Sequence, residues 1–309
     1  MPANTGLTNS AMTDFRRCEE RYRLKYRERL SPLQESPHLG LGSAVHEGLE
    51  KRGAIYAIQY LREKNPPYTK AEADRLEIQC ATAAAMVNGA LKIWTEWPDR
   101  QEIQFDLPLI NPMTGKASTK HTMSGKLDGL WESVPESVVQ RLRNTSLRAP
   151  LRGNPPCVME IKTTSHAASE ELQTEVSWVL YRVIRKPSLR LRTKVKRPDG
   201  LDEKGKPKFK YSHETATEFC ERIHLDYEQR PDHYYSEFLV RRKRDQIQRF
   251  RHEIWEQHKR LLRIENGEMT IRNTGSCLDY GRCDFFELCT GAVGPEAYRV
   301  RESLNPELE

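Results

Sequence analysis

The chain has 309 residues, 37% hydrophobic and 30% charged, so we expect a packed core beneath a heavily charged surface. No apolar run approaches the ~18 residues of a membrane span, and the first residues lack the pattern of a secretory signal. Seven cysteines are too few for a disulfide scaffold in a chain of this length. These features argue against membrane, secreted, fibrous and wholly disordered classes. They predict a cytoplasmic protein whose thiols are free or bound to metal.

Positive charge is unevenly distributed along the chain. The net charge is 50 − 44 = +6, and residues 188–212 alone contain nine Lys/Arg against three Asp/Glu. A second basic run begins at Arg241-Arg242 and extends to Arg251. Such patches are expected in a protein that binds a phosphate backbone. Taken alone, they are explained at least as well by a solvated loop and a solvated helix face.

The first hundred residues predict helices. Ser10 is placed to cap a helix over 11–28, and apolar residues at helical spacing predict a second helix over 43–64, before Pro66-Pro67. An alanine-rich third helix is predicted over 69–97. We therefore expect residues 10–100 to form a helical N-terminal part.

The pattern then changes to that of strands. Strands are predicted over 104–110, 122–132, 157–163 and 176–185, with 135–156 a loop containing one helical turn. Residues 188–212 predict a flexible surface loop, because they contain proline and glycine and no periodicity. A helix over 213–229, a strand over 233–242, a helix over 244–265 that stops at Gly267, and a cysteine-bearing segment follow. The expected fold class is α/β, one domain with its sheet in 101–270 and the cysteine-bearing segment at 271–292.

Three short segments carry candidate chemistry. His46 and Glu50 lie four residues apart on a predicted helix and so share one face. Asp128 interrupts an alternating apolar strand, and Glu160 and Lys162 lie two apart on another strand, so both point the same way.

Two carboxylates and an imidazole suit Mg²⁺ or Mn²⁺, and a neighbouring lysine can hold or activate a water. Together they are the equipment for metal-assisted phosphodiester hydrolysis. Each piece alone has a simpler explanation: a packed histidine, a turn at Asp-Gly, or a surface ion pair. The ordered set, with each residue in a suitable element, is harder to obtain by chance.

These segments resemble the RecB-like branch of the PD-(D/E)XK nuclease superfamily. Gly42-x3-His46-x2-Leu49-Glu50 is similar to its first motif, Gly125-x2-Asp128 to its second, and Glu160-Ile161-Lys162 to its third. The resemblance extends over residues 10–290 and implies a restriction-endonuclease-like mixed sheet flanked by helices. It also implies metal coordination by His46, Asp128, Glu160 and the Ile161 carbonyl, with Lys162 as the catalytic lysine.

Four cysteines add to the resemblance. Cys18 lies near the start of the chain, and Cys277, Cys283 and Cys289 lie near its end. This pattern resembles the iron–sulfur staple of AddB-type helicase-nucleases and CRISPR-associated RecB-like exonucleases, and implies a structural [4Fe–4S] cluster. The late group is spaced x5 and x5, where the family has x2 and x5. A Cys₄ zinc site is the nearest alternative, although its usual C-x2–4-C pairs are absent.

A second departure concerns the segment after Lys162. The family has a Gln-x3-Tyr on a helix there, and the only candidate is Gln173, with Ser177 in the tyrosine position. The interval before the next predicted strand leaves room for barely two helical turns. This departure affects two properties that the resemblance implies: full nuclease activity and the positioning of a DNA strand.

The leading hypothesis is a Mg²⁺- or Mn²⁺-dependent exonuclease that acts on single-stranded DNA ends. Its DNA-binding residues are predicted to be Lys194, Lys196, Arg197, Arg241, Arg242 and Gln173, with Tyr181 or Tyr235 stacking on bases. The alternatives are a DNA-binding or partner-recruiting module with a weakened nuclease site, and a structure-specific endonuclease of the same superfamily. The resemblance implies partners in a nuclease complex or in phage or CRISPR pathways, and does not choose between them.

Overall fold

A computed structural model of the chain describes residues 5–33, 37–98, 100–145, 157–164, 178–201, 206–241, 243–279, 281–303 and 305. The fold is mixed α/β, as expected from the sequence. The strands are β1 Thr5–Leu7, β2 Leu30–Pro32, β3 Arg100–Ile110, β4 Ala117–Trp131, β5 Cys157–Thr164, β6 Trp178–Arg185, β7 Val195–Leu201, β8 Pro207–Ser212, β9 Tyr235–Arg241 and β10 Tyr298–Val300. The helices are α1 Asn9–Arg17, α2 Glu19–Tyr22, α3 Pro37–Glu50, α4 Ala54–Lys64, α5 Lys70–Ile93, α6 Glu136–Thr145, α7 Ala216–Gln229, α8 Pro231–Tyr234, α9 Arg244–Glu265 and α10 Phe286–Thr290.

The described residues contain a six-stranded sheet in the order β1-β4-β5-β6-β9, with β3 also paired to β4. The pairs β1–β4 and β5–β6 are parallel, and the other pairs are antiparallel. Because β3 pairs along one edge of β4, β1 and β5 must share the other edge. There β1 pairs with residues 121–123 and β5 with 129–131. The intervening part of that edge, which ends at Asp128, lies between the two ladders.

The main core lies between the sheet and helices α3, α4, α5 and α7. Every residue from Val179 to Ile184 on β6 is buried, as expected for a strand covered on both faces. Ala44, Val45 and Leu49 of α3 join the same cluster. The sheet and α3 are therefore fixed relative to each other by apolar packing.

The N-terminal helices differ from the prediction in three places. The single helix predicted over 11–28 is interrupted at Cys18, whose backbone is extended. Thr8, and not Ser10, caps α1, since its hydroxyl accepts a hydrogen bond from the Ala11 N–H at 3.1 Å. The helix predicted over 43–64 is two helices, because Arg52 takes a left-handed conformation, with φ at 56°, and Gly53 follows it. Beyond α2 the chain continues as a π-helix over Arg23–Arg27.

The prediction of a flexible loop over 188–212 was wrong. Residues 195–201 and 207–212 form an antiparallel hairpin, β7–β8, which is separate from the main sheet. The single helical turn predicted within 135–156 is the ten-residue helix α6. The helix predicted over 244–265 is confirmed with the same bounds, and Gly267 adopts a positive φ just beyond it.

The two ends of the chain meet. β10 pairs with β2, and Leu24, Leu30 and Phe285 form a small buried cluster between them. Within the part of the chain that the structure describes, no helix combines the length and apolar character needed to cross a membrane.

Candidate metal centre

Three separate elements bring the predicted site residues together. α3 supplies His46, β4 supplies Asp128, and β5 supplies Glu160 and Lys162. His46 Nδ1 lies 3.7 Å from Asp128 Oδ1. The Ile161 N–H donates a hydrogen bond to Asp128 Oδ2 at 2.5 Å, so the Asp128 side chain bridges β4 and β5 where their ladder has ended.

Two glycines near the site residues allow this approach: Gly48, which lies within the span of the first motif, and Gly125 of the second. A Cβ at Gly48 would lie 2.8 Å from a methyl group of Val87, so α3 crosses α5 at a distance that only glycine permits. A Cβ at Gly125 would lie 2.5 Å from Phe105 Cζ, where β3 covers β4. Both glycines are thus explained by packing that positions His46 and Asp128.

Glu102 is a site residue that the sequence analysis missed. Potential ligand atoms of His46, Glu102 and Asp128 all lie within 4.8 Å of one another. The β3–β4 register places Glu102 opposite Asp128, between the pairs Gln101–Gly129 and Ile103–Leu127. Its φ is 49°, a left-handed conformation that costs a non-glycine residue about 1–3 kcal/mol and is often found at functional sites.

Glu160 and Lys162 point the same way, as their spacing predicted. The Lys162 ammonium contacts the Glu160 carboxylate directly. Glu160 also interacts electrostatically with Asp128 and His46, although it is not part of the group that lies within 4.8 Å. The Ile161 side chain is buried, and a ligand role for its carbonyl stays a prediction.

Negative charge dominates the site. Four carboxylates, Glu50, Glu102, Asp128 and Glu160, interact with two ammonium groups, Lys126 and Lys162, which gives 2 − 4 = −2. Lys126 Nζ lies 2.5 Å from Glu102 Oε2. A charge of −2 on oxygen ligands and an imidazole is what one divalent ion would neutralise.

The pKa values reflect this imbalance. Burial raises the pKa of Asp128, against the opposing effects of the Ile161 N–H and Lys162. Burial and then the nearby Asp128 charge raise the pKa of Glu160. Burial and then Lys162 lower the pKa of His46, which favours the neutral imidazole that a metal requires. Perturbed titratable groups gathered in one place are typical of functional sites.

The four cysteines named in the sequence analysis lie in one corner of the fold. Cys18 Sγ accepts a hydrogen bond from the Asn273 N–H at 3.5 Å, and Cys277 Sγ lies 3.9 Å from the Asn273 carbonyl oxygen. The Cys283 N–H donates to the Cys277 carbonyl at 2.8 Å. Burial and then Glu20 raise the pKa of Cys289, with smaller contributions from Cys283 and Cys18.

The thiols are not arranged around a single ion. Among the described residues, no three thiols have sulfur atoms that all lie within 4.8 Å of one another. Zn–S bonds of about 2.3 Å would require closer sulfurs, so the corner is not a ready-made zinc site. The donor set, four thiols from the two chain ends, is the set that a [4Fe–4S] cluster uses, but the structure shows no cluster-like arrangement of it.

The predicted nucleic-acid residues fall into three groups. Lys194 precedes β7, and Lys196 and Arg197 lie on it. Arg241 is exposed at the end of β9, with its guanidinium 5.4 Å from the centre of the Trp178 ring. Arg242 and Gln173 lie outside the described residues.

The expectation that Tyr181 or Tyr235 stacks on bases was wrong. Both rings are buried, and the Tyr235 hydroxyl donates to the carbonyls of Ala85 and Met86 on α5. Tyr235 lies in the core cluster between the sheet and the helices, whereas Tyr181 packs among strand residues on the other face, stacked on Phe238.

Three comparisons with known proteins identified no relative of this chain. No family model, curated protein or solved structure matches the chain. The chemistry of the site must therefore be inferred from its own residues and from the arrangement described above.

Proposed function

We propose that the protein is a divalent-metal-dependent nuclease with a restriction-endonuclease-like core. The observation that carries the proposal is the convergence of His46, Asp128, Glu160 and Lys162 from one helix and two strands on a site with excess negative charge. These are the residues whose order along the chain resembles the RecB-like motifs. Glu102 is an additional carboxylate within reach of the same ion.

The site residues have two proposed roles: binding the metal ion and positioning or deprotonating the attacking water. His46, Asp128 and Glu160, with Glu102 and the Ile161 carbonyl, would hold Mg²⁺ or Mn²⁺. When bound, the ion supplies Lewis-acid activation and neutralises charge on the phosphoryl group. Lys162 would position the attacking water through its ammonium, which the contact with Glu160 holds at the site. To act as the base it would have to be the neutral amine, which takes the proton of the water and becomes the ammonium.

The proposed substrate is single-stranded DNA with free ends. The basic residues Lys194, Lys196 and Arg241 would contact its phosphates, whereas the Arg197 guanidinium, predicted from the sequence to bind DNA, is paired with Glu218. The protein is proposed to act in a phage or CRISPR-related nuclease pathway.

A [4Fe–4S] cluster on Cys18, Cys277, Cys283 and Cys289 would fasten the N-terminal helices to the C-terminal segment, a structural role.

The test is Mn²⁺-dependent degradation of end-labelled single strands by the wild-type chain and by Asp128→Ala. The matched control is Asp106→Asn, which lies on the same β3–β4 ladder but bonds only Ser124 and Thr122. We expect Asp128→Ala to lose activity by at least a hundredfold and Asp106→Asn to retain it. Equal activity of all three proteins would contradict the proposal.

Two further measurements separate the alternatives. Covalently closed circular single strands stay intact if the protein is an exonuclease, and are cut if it is an endonuclease. If the wild-type chain leaves all strands intact but still retards DNA on a gel, it is a binding module. Iron and zinc analysis of anaerobically purified protein tests the cluster: visible absorption with iron supports it, and stoichiometric zinc contradicts it.

A further inference from the structure

The β7–β8 hairpin has two unlike faces. Cross-strand pairing joins Lys196 to Tyr211 and Pro198 to Phe209, so these four side chains share one face. Val195, Arg197 and Ser212 alternate with them and are half-buried, whereas the four on the first face are exposed. We call the face of Lys196, Pro198, Phe209 and Tyr211 the aromatic face.

The aromatic face exposes two rings to solvent. Tyr211 is 67% exposed and Phe209 is 44% exposed. Lys196 Nζ lies 3.8 Å from the centre of the Phe209 ring, so it covers one side of that ring and fixes its orientation. The two aromatic side chains are neighbours on one face of β8, where they expose apolar surface to water and add nothing to the core. Neighbouring exposed apolar side chains often mark a binding surface.

The other face anchors the hairpin. Arg197 makes two hydrogen bonds of 2.5 Å to the Glu218 carboxylate, and it also contacts the Ser212 hydroxyl. Glu218 belongs to the capping box that begins α7. An isolated two-stranded hairpin is marginal in water, and this bidentate pair is one of the contacts that fasten it to the start of α7.

The charges around the rings favour a polyanion. Of the six cationic residues between 194 and 212 that the structure describes, Arg197 pairs with Glu218 and Lys210 with Asp199, at 3.1 Å in the second case. Lys194 and Lys196 make no ion pair with a described carboxylate, and Lys196 lies on the aromatic face. Cationic groups beside exposed rings are typical of surfaces that bind single strands, because a duplex keeps its bases stacked inside.

The segment that connects β6 to the hairpin starts at the end of the sheet that β5 reaches beyond Glu160 and Lys162. β5 and β6 are parallel, and Thr164 at the end of β5 is opposite Arg185 at the end of β6. The chain leading to β7 therefore leaves the sheet at the end toward which β5 runs after Glu160 and Lys162.

We propose that Phe209 and Tyr211 stack on successive bases of single-stranded DNA, while Lys194 and Lys196 contact its phosphates. This inference rests on the proposed nuclease function and specifies its substrate: unpaired bases, recognised by ring stacking and without sequence preference. It assigns the recognition of single strands to a hairpin that lies outside the main sheet.

The test is fluorescence anisotropy of the full chain with a labelled 30-mer of thymidine, in EDTA so that the probe is not cleaved. Phe209→Ala/Tyr211→Ala is expected to weaken binding about tenfold for each ring removed. Phe209→Tyr/Tyr211→Phe, which keeps both rings, and Tyr68→Ala, an 89% exposed aromatic outside the hairpin, are expected to bind as the wild type does.

Two probes separate stacking from charge. An abasic 30-mer has the same phosphates but no bases, so the wild type should bind it as weakly as the double alanine variant binds thymidine. Replacing Lys194 and Lys196 by alanine should reduce the slope of log affinity against log salt by about 1.4, whereas Lys208→Ala, on the opposite face of the hairpin, and the ring variant keep the wild-type slope.

Failure of this inference is distinguishable from failure of the nuclease proposal. If the wild type degrades single strands with Mn²⁺ but the double alanine variant binds them unchanged, the hairpin inference is overturned and the nuclease proposal stands. A ring-dependent preference for duplex DNA would also overturn it. If the wild type neither binds nor degrades DNA, both are overturned.

Discussion

Two clusters of charged side chains meet at the central strands, and they are balanced in different ways. On β6, Arg182 shares Glu237 with Arg141, and Arg141 also pairs with Glu96, so two guanidinium groups face two carboxylates. In the metal centre, four carboxylates face two ammonium groups. The charges of the first cluster cancel within the described chain, whereas those of the second leave an excess of two negative charges. Charge balance therefore distinguishes a structural cluster from a functional one.

The Arg182 cluster is also enclosed differently. Arg182 is fully buried, and its guanidinium lies 4.7–5.5 Å from the ring centres of Trp94, Trp97 and Trp131. Its strand register places it beside Ile161, on the face opposite Glu160 and Lys162. The same pair of strands thus carries a self-contained ion cluster on one face and residues of the metal centre on the other.

The largest expected effect comes from breaking the self-contained cluster. Arg182→Met should lower the free energy of unfolding by about 3–5 kcal/mol, because Glu237 is left buried beside a single remaining guanidinium. Urea denaturation measures the change. Arg241→Met is the matched control, since Arg241 also lies over a tryptophan but is exposed, and its loss should cost less than about 1 kcal/mol.

A double variant sharpens this result. Arg182→Met/Glu237→Gln should recover part of the lost stability, because no uncompensated carboxylate stays buried. If the double variant is less stable than Arg182→Met by the full cost of a second substitution, packing against the tryptophans, and not charge balance, accounts for the cluster.

The second prediction concerns the unbalanced cluster. Mn²⁺ at a hundred times its dissociation constant should stabilise the wild-type chain by about 2.7 kcal/mol, because the ion binds only the folded site. Asp128→Asn should lose most of this gain, and Asp106→Asn should keep it. Thermal unfolding with and without Mn²⁺ is the measurement. Equal stabilisation of Asp128→Asn would show that the ion binds elsewhere.

The sequence predicted the parts of the fold that depend on local pattern. α9 was predicted with its observed bounds, because its apolar spacing and Gly267 act within a few residues. The hairpin was missed, because Pro198 and Gly200 indicate a loop. What holds it are contacts that no local pattern shows, between Arg197 and Glu218 and between Lys196 and Phe209. The break between α3 and α4 likewise was missed, because it depends on the left-handed backbone of Arg52, a residue whose sequence pattern is compatible with a helix.

The same division applies to the site. The shared face of Glu160 and Lys162 follows from strand alternation and was predicted. Glu102 could not be predicted, because its place depends on the β3–β4 register and on a left-handed backbone that a glutamate rarely adopts. Its only sequence signal is its place in the polar segment Asp99–Glu102. That segment comes just before residue 104, where the predicted strand begins.

The smallest expected effect is a pH dependence within the balanced cluster. Burial opposes the ionisation of Glu96, but hydrogen bonds from Ser137 and Arg141 outweigh it and lower the pKa of Glu96 from 4.5 to about 2. Because this folded-state pKa lies below the unfolded value, the carboxylate stabilises the fold above pH 4.5, and the contribution is lost as the pH falls toward 2. Glu96→Gln should cost about 1 kcal/mol at pH 7 after allowance for solvent screening.

Urea denaturation of Glu96→Gln and wild type across this pH range measures the difference, which should shrink to zero near pH 2. Glu63→Gln, an exposed position on α4, should change the free energy of unfolding by less than about 0.5 kcal/mol. A Glu96→Gln deficit that persists unchanged at pH 2 would mean that the side chain contributes by shape and neutral hydrogen bonds. The balance of two guanidinium groups by two carboxylates would then not be what stabilises this side of the sheet.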